Sequence, residues 1–386
     1  MKKTLLAAAV VSALVASTAA SAATVYDKDG TVLNVNGRIE AQWYNAGSSS
    51  NMSDKKVGNN DSSIYNWARL SLVGSSRLND YATAFGMMEW DVGDGDQRVG
   101  KDKEGKGDDT MAARDQFIGV DFGKFGKVQT GRYKSLLNTV AGVTDVLGGD
   151  GESGKTYVIG DTRNAGKLTY TWTGYGVLLG AEYQSAKDDY TEHVVKFDVE
   201  SGYSVIAGYT TPSVLFGPIS IKAGYGYLKG QDDLSKAGLE RDVDNQTGWA
   251  ASLAWGVPSA GWYFAGEYTA VSYEFNGDYD DLDGQGFEVV GKYSFANGLS
   301  LATGYQYENW ECGDKTVKSS QIPLVVEYNF NPNFKVYAQA NFGVSSTDEN
   351  GEALRKIAAG DEDYKAGSAP TFGDGNAFAV GARYTF

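Results

Sequence analysis

The stretch that decides the fold is Leu33 to Trp43, LNVNGRIEAQW, near the beginning of the chain. Its odd-numbered positions are mostly apolar, and its even-numbered positions are polar or charged. Because successive side chains of a strand point to opposite faces, this period of two predicts a β-strand with one apolar and one polar face. The same alternation recurs in residues 287–295 and 299–308. We therefore expect an all-β protein.

Sixteen segments of this kind follow one another along the chain, and an even number of strands is typical of single-chain bacterial barrels. The predicted strands are residues 33–46, 63–77, 80–92, 111–123, 126–133, 164–173, 176–185, 202–212, 219–229, 247–256, 261–275, 285–296, 298–310, 319–331, 333–344 and 376–386. The region from His193 to Thr211 has room for one strand or two. We take one, because seventeen strands would leave the chain ends on opposite sides.

The connections between these segments alternate in length. Short ones, such as residues 123–126, 173–175 and 331–333, take turns with long polar ones. The long connections are residues 47–61, 93–110, 134–161, 229–246, 276–284 and 345–375. The strands of an ordinary β-sandwich also alternate between apolar and polar residues. The unequal length of the connections nevertheless favours a 16-stranded antiparallel transmembrane β-barrel with short periplasmic turns and long extracellular loops.

The beginning of the chain has the pattern of a secretory signal peptide. Lys2 and Lys3 precede an apolar run from Leu5 to Ala16, and the small residues 20–22 form a cleavage pattern. A dozen apolar residues are too few for a membrane-spanning helix, which needs about 20. We predict that residues 1–22 are removed and that residues 23–386 form a single barrel domain.

Charge excludes one class of partner. Without the two lysines of the predicted signal peptide, the formal net charge changes from −15 to −17. An acidic chain without a concentrated basic patch is not expected to bind nucleic acid.

The residue types that catalysis and metal binding require are scarce. His193 is the only histidine and has no hydroxyl nucleophile beside it, and Cys312, the only cysteine, is interpreted as a loop thiol. The acidic runs 278–283 and 361–363 lack the spacing of an ordered calcium loop. We interpret them as solvated loop charge, with cation bridging to anionic surface lipid as the alternative. We expect no enzyme, no resident metal and no cofactor.

The second to fifth predicted strands alternate less cleanly than the others. Asn66 and Asp115 fall on the face that we assign outward. An error of register would explain this, as would an outer wall that contacts another protein chain. We favour the second explanation, because a subunit interface tolerates polar residues that hydrocarbon penalises.

Short motifs in the first half of the chain resemble the trimeric general porins of Gram-negative bacteria. They are VYDKDG at 25–30, NGR at 36–38, FGKFG at 122–126, GR at 131–132, TDVL at 144–147 and DTRN at 161–164, and the chain ends in phenylalanine. The resemblance implies a homotrimer of water-filled channels in the cell outer membrane. Such channels pass small hydrophilic solutes and ions by passive diffusion. We also expect contacts with lipopolysaccharide, and if the acidic runs bind divalent cations, these cations would bridge the protein to it.

The resemblance also implies a constriction inside each barrel. The third long loop, about residues 134–161, would fold inward and place acidic side chains opposite a basic wall. The residues carried over are Arg38, Arg69, Arg114 and Arg163 for the wall, Arg132 as a weaker basic candidate, and Asp145 for the loop. The family's Pro-Glu-Phe segment is missing after Leu147, so Asp150 and Glu152 are only partial replacements for its second carboxylate. Tyr384 and Phe386 would form the barrel-insertion signal.

The residues themselves leave alternatives open. Arg38 lies on the polar face of its strand, and an arginine facing lipid would cost about 2 to 4 kcal/mol, so we place it in the lumen. A structural ion pair with Glu40 is the alternative role. The loop 134–161 exceeds the length of about 12–15 residues above which loops are usually functional or disordered.

Two alternative functions remain open as well. A sugar or nucleoside channel would carry a track of lumen aromatics, of which we recognise few. A barrel that serves only as the platform of an adhesin or enzyme would conduct no solutes.

Overall fold

The structure is a computed structural model that describes residues 23–46, 62–93, 111–147, 162–192, 195–231, 242–344 and 376–386. These residues form one antiparallel sheet. Its strands are β1 (Ala23–Lys28), β2 (Thr31–Ala46), β3 (Ser62–Arg77), β4 (Thr83–Gly93), β5 (Met111–Asp121), β6 (Lys127–Tyr133), β7 (Asn164–Gly174), β8 (Val177–Gln184), β9 (Lys187–Glu192), β10 (Val195–Thr210), β11 (Ile219–Gly230), β12 (Val243–Val257), β13 (Ala260–Phe275), β14 (Leu282–Ser294), β15 (Leu299–Cys312), β16 (Lys315–Asn329), β17 (Phe334–Gly343) and β18 (Ala377–Thr385).

Two short helices accompany the sheet. A 3-10 turn covers Gly123–Phe125, and helix α1 covers Leu137–Ala141. Within the described ranges, no helix is long and apolar enough to cross a membrane.

The strands fill sixteen positions in a closed ring. β18 pairs with the second half of β2 and β1 with its first half, so the two ends of the chain share one position. β8 and β9 likewise share one position beside β10. The predicted 16-stranded barrel is therefore confirmed. β10 is the single strand in the region where two were considered, whereas β1 and β9 were not predicted.

The barrel closes where the end of the chain meets β2. The amide of Gly37 donates to the carbonyl of Phe386 at 2.8 Å, and the amide of Phe386 donates to the carbonyl of Gly37 at 2.9 Å. A Cβ atom at position 37 would lie 2.4 Å from the Phe386 ring. Glycine is required here because the final aromatic ring lies directly over the backbone of β2.

The barrel has a polar inner face and an apolar outer face. On β2, Asn34 and Glu40 are buried inside, whereas Ile39 and Trp43 are exposed outside. Many large apolar side chains are exposed on the outer face, which is unusual for a soluble protein. Strands that alternate between apolar residues outside and polar residues inside are typical of transmembrane barrels. Aromatic residues near the strand ends are exposed on the outer face, as in the interfacial girdles of such barrels, among them Trp43, Tyr183, Trp262, Phe330, Phe342 and Tyr384.

The end of the barrel that carries the long loops differs from the sequence prediction. Residues 311–318 were predicted as a loop, but β15 and β16 continue through them to the two-residue turn 313–314. Cys312 is therefore not a loop thiol: it is 3% exposed and belongs to an apolar cluster with Trp310, Val317 and Tyr273. The strands extend because their inward side chains bury one another. Aromatic residues inside this end are thus packed together and do not form an exposed track.

Candidate functional site

Arginines from neighbouring strands meet on the inner wall. Arg38 of β2 and Arg69 of β3 lie directly opposite each other in the strand register. Trp67 faces both guanidinium groups, with its ring centroid 4.3 Å from Arg38 Cζ and 5.3 Å from Arg69 Cζ. The face of an aromatic ring attracts cations, so Trp67 helps to hold two like charges side by side.

Carboxylates of β4 pair with the next arginines. Arg69 Nε lies 2.8 Å from Asp91 Oδ1, and Arg114 Nη1 lies 2.5 Å from Asp91 Oδ2. Arg114 Nε also donates to Glu89 Oε1 at 2.8 Å. The inner wall is therefore a network of alternating charges, in which Glu89 and Asp91 fix the guanidinium groups of β3 and β5.

A β-bulge in β5 explains the uneven alternation of this region. Met88 pairs with Gln116 and Trp90 pairs with Ala113, so Arg114 and Asp115 together face one residue of β4. A bulge re-aims side chains, and Asp115 accordingly points inward, where Arg163 Nε donates to its Oδ1 at 2.9 Å. The outward assignment of Asp115 was wrong.

Two further predicted residues lie close to this wall. Asn66 is exposed on the outer face, as assigned. Arg132 Nε donates to the carbonyl of Arg114 at 3.0 Å.

The third long loop enters the barrel. Its described residues, 134–147, include helix α1, which contacts the inner faces of β10 to β13. Leu137 and Val140 are fully buried there, in a cluster that includes Ile206 and Leu228 of the wall. The apolar face of α1 thus rests on an apolar patch of an otherwise polar interior, and removal of this surface from water stabilises the docked loop.

Hydrogen bonds to the wall continue along the loop. Lys222 Nζ donates to the carbonyl of Thr139 at 2.9 Å, and the Tyr263 hydroxyl donates to the carbonyl of Val143 at 2.6 Å. The hydroxyl of Thr144, a fully buried residue, donates to Glu288 Oε2 at 2.7 Å. The neighbouring Asp145 is exposed. Asp150 and Glu152 lie outside the described residues.

The loop and the arginines occupy opposite sides of the barrel. Arg38, Arg69 and Arg114 belong to β2, β3 and β5, whereas the loop docks on β11 to β14. In a closed ring of sixteen positions, β3 and β12 are eight positions apart. The docked part of the loop therefore lies across the barrel from the arginine wall.

Some residues of the inner wall and of the loop base were not predicted from the sequence. Glu89 and Asp91 were not singled out, although their spacing of two on a strand places them on one face. The base of the loop was missed as well. Glu182 accepts hydrogen bonds from Ser135 and from the backbone of Leu136, and Lys167 Nζ donates to the carbonyl of Tyr133 at 2.7 Å. No sequence signal marks these residues, because the loop and β7 to β8 meet only in the fold.

The acidic connection 276–281 lies at the long-loop end. Partial burial, followed by the charges of Glu274, Asp283 and Asp280, raises the pKa of Asp281. Within the described part of the chain, no group of three or more histidine, cysteine or acidic residues is arranged to hold a metal ion. The 361–363 run lies outside the described residues.

Comparison with known proteins identifies the family. The family model described as Gram-negative porin matches residues 7–350. The chain belongs to the Gram-negative porin family. This porin is 28% identical to the outer membrane porin protein OmpD of Citrobacter koseri over 350 residues, which cover 86% of this chain and 90% of that one.

Solved structures share the fold. OmpF of Salmonella typhi, in complex with daunomycin, superposes with a TM-score of 0.69 at 19% identity over 94% of this chain and all of that one. OmpT of Vibrio cholerae, in its trimer form, gives a TM-score of 0.63 at 19% identity over 93% of this chain and all of that one.

Family membership and fold together fix the broad function. The porin is an outer-membrane β-barrel that passes small hydrophilic solutes by passive diffusion, and it is not an enzyme. The long-loop end is accordingly the extracellular end, and the short-turn end is the periplasmic end. The predictions of class, location and general diffusion are confirmed.

Proposed function

We propose that the third loop narrows the channel and that Asp145 faces Arg38, Arg69 and Arg114 across the opening. The supporting observation is the position of residues 134–147, which dock inside the barrel opposite the arginine wall. Opposed charges on the two sides of a narrow aqueous passage create a transverse field that orients polar solutes. Arg163 and Arg132 extend the basic side of this passage.

We further propose that the porin assembles as a homotrimer in contact with lipopolysaccharide, with divalent cations as bridges. The support for oligomerisation is the outward Asn66 and Gln116 on the wall formed by β3 to β5, where hydrocarbon would penalise polar groups. The similar fold of a porin whose structure is a trimer adds to it. The acidic connections at the extracellular end suit cation bridges to anionic lipid.

The constriction is tested by modifying Asp145. In an Asp145→Cys variant reconstituted in planar bilayers, a charged methanethiosulfonate reagent adds bulk and charge in the passage. We expect the single-channel conductance to fall, and the positive and negative reagents to shift ion preference in opposite directions. The wild-type channel controls for the native thiol, because Cys312 is buried.

A matched variant separates the passage from the channel mouth. Asp278→Cys places the same thiol on the exposed extracellular connection between β13 and β14. Modification there should change conductance much less than modification at position 145. Equal effects at both positions would contradict the proposed constriction, while the assignment as a porin would stand.

A further inference from the structure

The connection between β10 and β11 is the longest periplasmic turn within the described ranges. Residues 211–218, TPSVLFGP, carry no charged side chain and form a loop between the two strands. Leu215 at its tip has a φ of +58° and is 87% exposed. A left-handed backbone is unfavourable for a bulky L-residue, and in water an exposed leucine gains nothing in return.

Contacts with β12 hold this loop on the outer face of the barrel. The Phe216 ring stacks on Trp255 with centroids 4.2 Å apart, and the Trp255 indole donates to the carbonyl of Val214 at 2.9 Å. Trp255 lies on the outward side of β12, in alternation with the buried Ala254. A Cβ atom on Gly217 would lie 2.6 Å from Gly256 Cα, so a glycine lets the loop lie flat on the strand.

Hydrogen bonds satisfy part of the backbone of this loop. The amide of Val214 donates to the carbonyl of Gly217 at 2.8 Å, and the carbonyl of Pro218 accepts from the amide of Gly256 at 3.0 Å. Pro212 and Pro218 have no amide hydrogen. The two prolines lower the number of backbone donors in the loop, and an uncharged surface suits a segment that enters hydrocarbon.

We propose that residues 211–218 are a membrane anchor and that Leu215 inserts among the acyl chains of the periplasmic leaflet. The partner is phospholipid, because the loop is continuous with the lipid-facing wall of β12 and β13, to which Trp255 and Phe264 belong. Burial of Leu215 in lipid offsets the unfavourable backbone conformation that presents it.

Depth-dependent fluorescence quenching tests the proposal. Leu215→Cys and, as a matched control, Ser259→Cys are made with Cys312→Ala and labelled with an environment-sensitive dye. Ser259 is exposed in the neighbouring turn between β12 and β13. In phosphatidylethanolamine and phosphatidylglycerol vesicles, we expect doxyl-labelled lipid to quench the dye at 215, and aqueous iodide to quench it at 259. Equal iodide quenching at both positions would overturn the proposal.

A stability measurement gives a second, independent answer. Asparagine tolerates the left-handed conformation better than leucine, but it is polar. If Leu215 lies in lipid, Leu215→Asn should lower the equilibrium constant for folding in vesicles by about tenfold or more, as measured by urea unfolding. If Leu215 lies in water, the variant should be as stable as wild type or more stable, and the proposal fails.

Discussion

At the scale of single residues, the arginines and carboxylates of the inner wall form ion pairs with one another. Asp91 pairs with both Arg69 and Arg114, and Glu89 pairs with Arg114. Replacement of Arg38, Arg69 and Arg114 by glutamine leaves these carboxylates uncompensated. We therefore expect the ratio of cation to anion permeability to rise several-fold, because charged walls set the selectivity of narrow pores. The reversal potential in a potassium chloride gradient measures this ratio.

The two carboxylates provide the reciprocal test. Glu89→Gln combined with Asp91→Asn leaves the arginines in place without their partners, so the reversal potential should shift toward anions. Heat-modifiable migration on gels confirms that each variant is folded. If the arginine and carboxylate variants shift the potential in the same direction, the charges of this wall do not control selectivity.

How much of this wall the sequence predicts depends on strand register. Arg38 is assigned to the inner face correctly, because β2 alternates without interruption from Asn34 to Gln42. Asp115 is misassigned, because the bulge at 114–115 shifts the alternation by one residue. A bulge depends on pairing with the neighbouring strand, and a single segment of sequence does not reveal that pairing.

At the scale of structural elements, the docked loop depends on α1. Leu137→Ser combined with Val140→Ser removes two fully buried side chains, and each loss costs about 2 kcal/mol or more of docking energy. The strands of the barrel are unchanged. We expect a folded channel with a noisier and larger single-channel current, measured in planar bilayers.

The same helix supplies the control for this variant. Thr139 is exposed, so Thr139→Ser should leave the current unchanged. A quiet current of wild-type size in the double serine variant would mean that the hydrogen bonds of Thr144 and Val143 suffice to hold the loop.

Strand boundaries at the extracellular end show where element prediction fails. Residues 311–318 are charged and glycine-containing, which is typical of loops, yet they continue the hairpin of β15 and β16. The reason is tertiary: Trp310, Cys312 and Val317 pack against residues of β13 and β14 inside the barrel. Periodicity within one segment does not report contacts that distant strands provide.

At the scale of the whole molecule, the two sides of the outer wall should differ in what they contact. Ile118 of β5 and Ile221 of β11 are both exposed outward near the periplasmic ends of their strands. An arginine at either position reaches the headgroup region by extending its side chain, so insertion into the membrane should survive. If β3 to β5 form the subunit interface, Ile118→Arg brings charge into a protein contact and should abolish the trimer band of unboiled samples. Ile221→Arg, on the lipid-facing side, should retain that band. If both variants migrate as trimers, the wall of β3 to β5 is not the subunit interface. The outward position of Asn66 and Gln116 would then require another explanation.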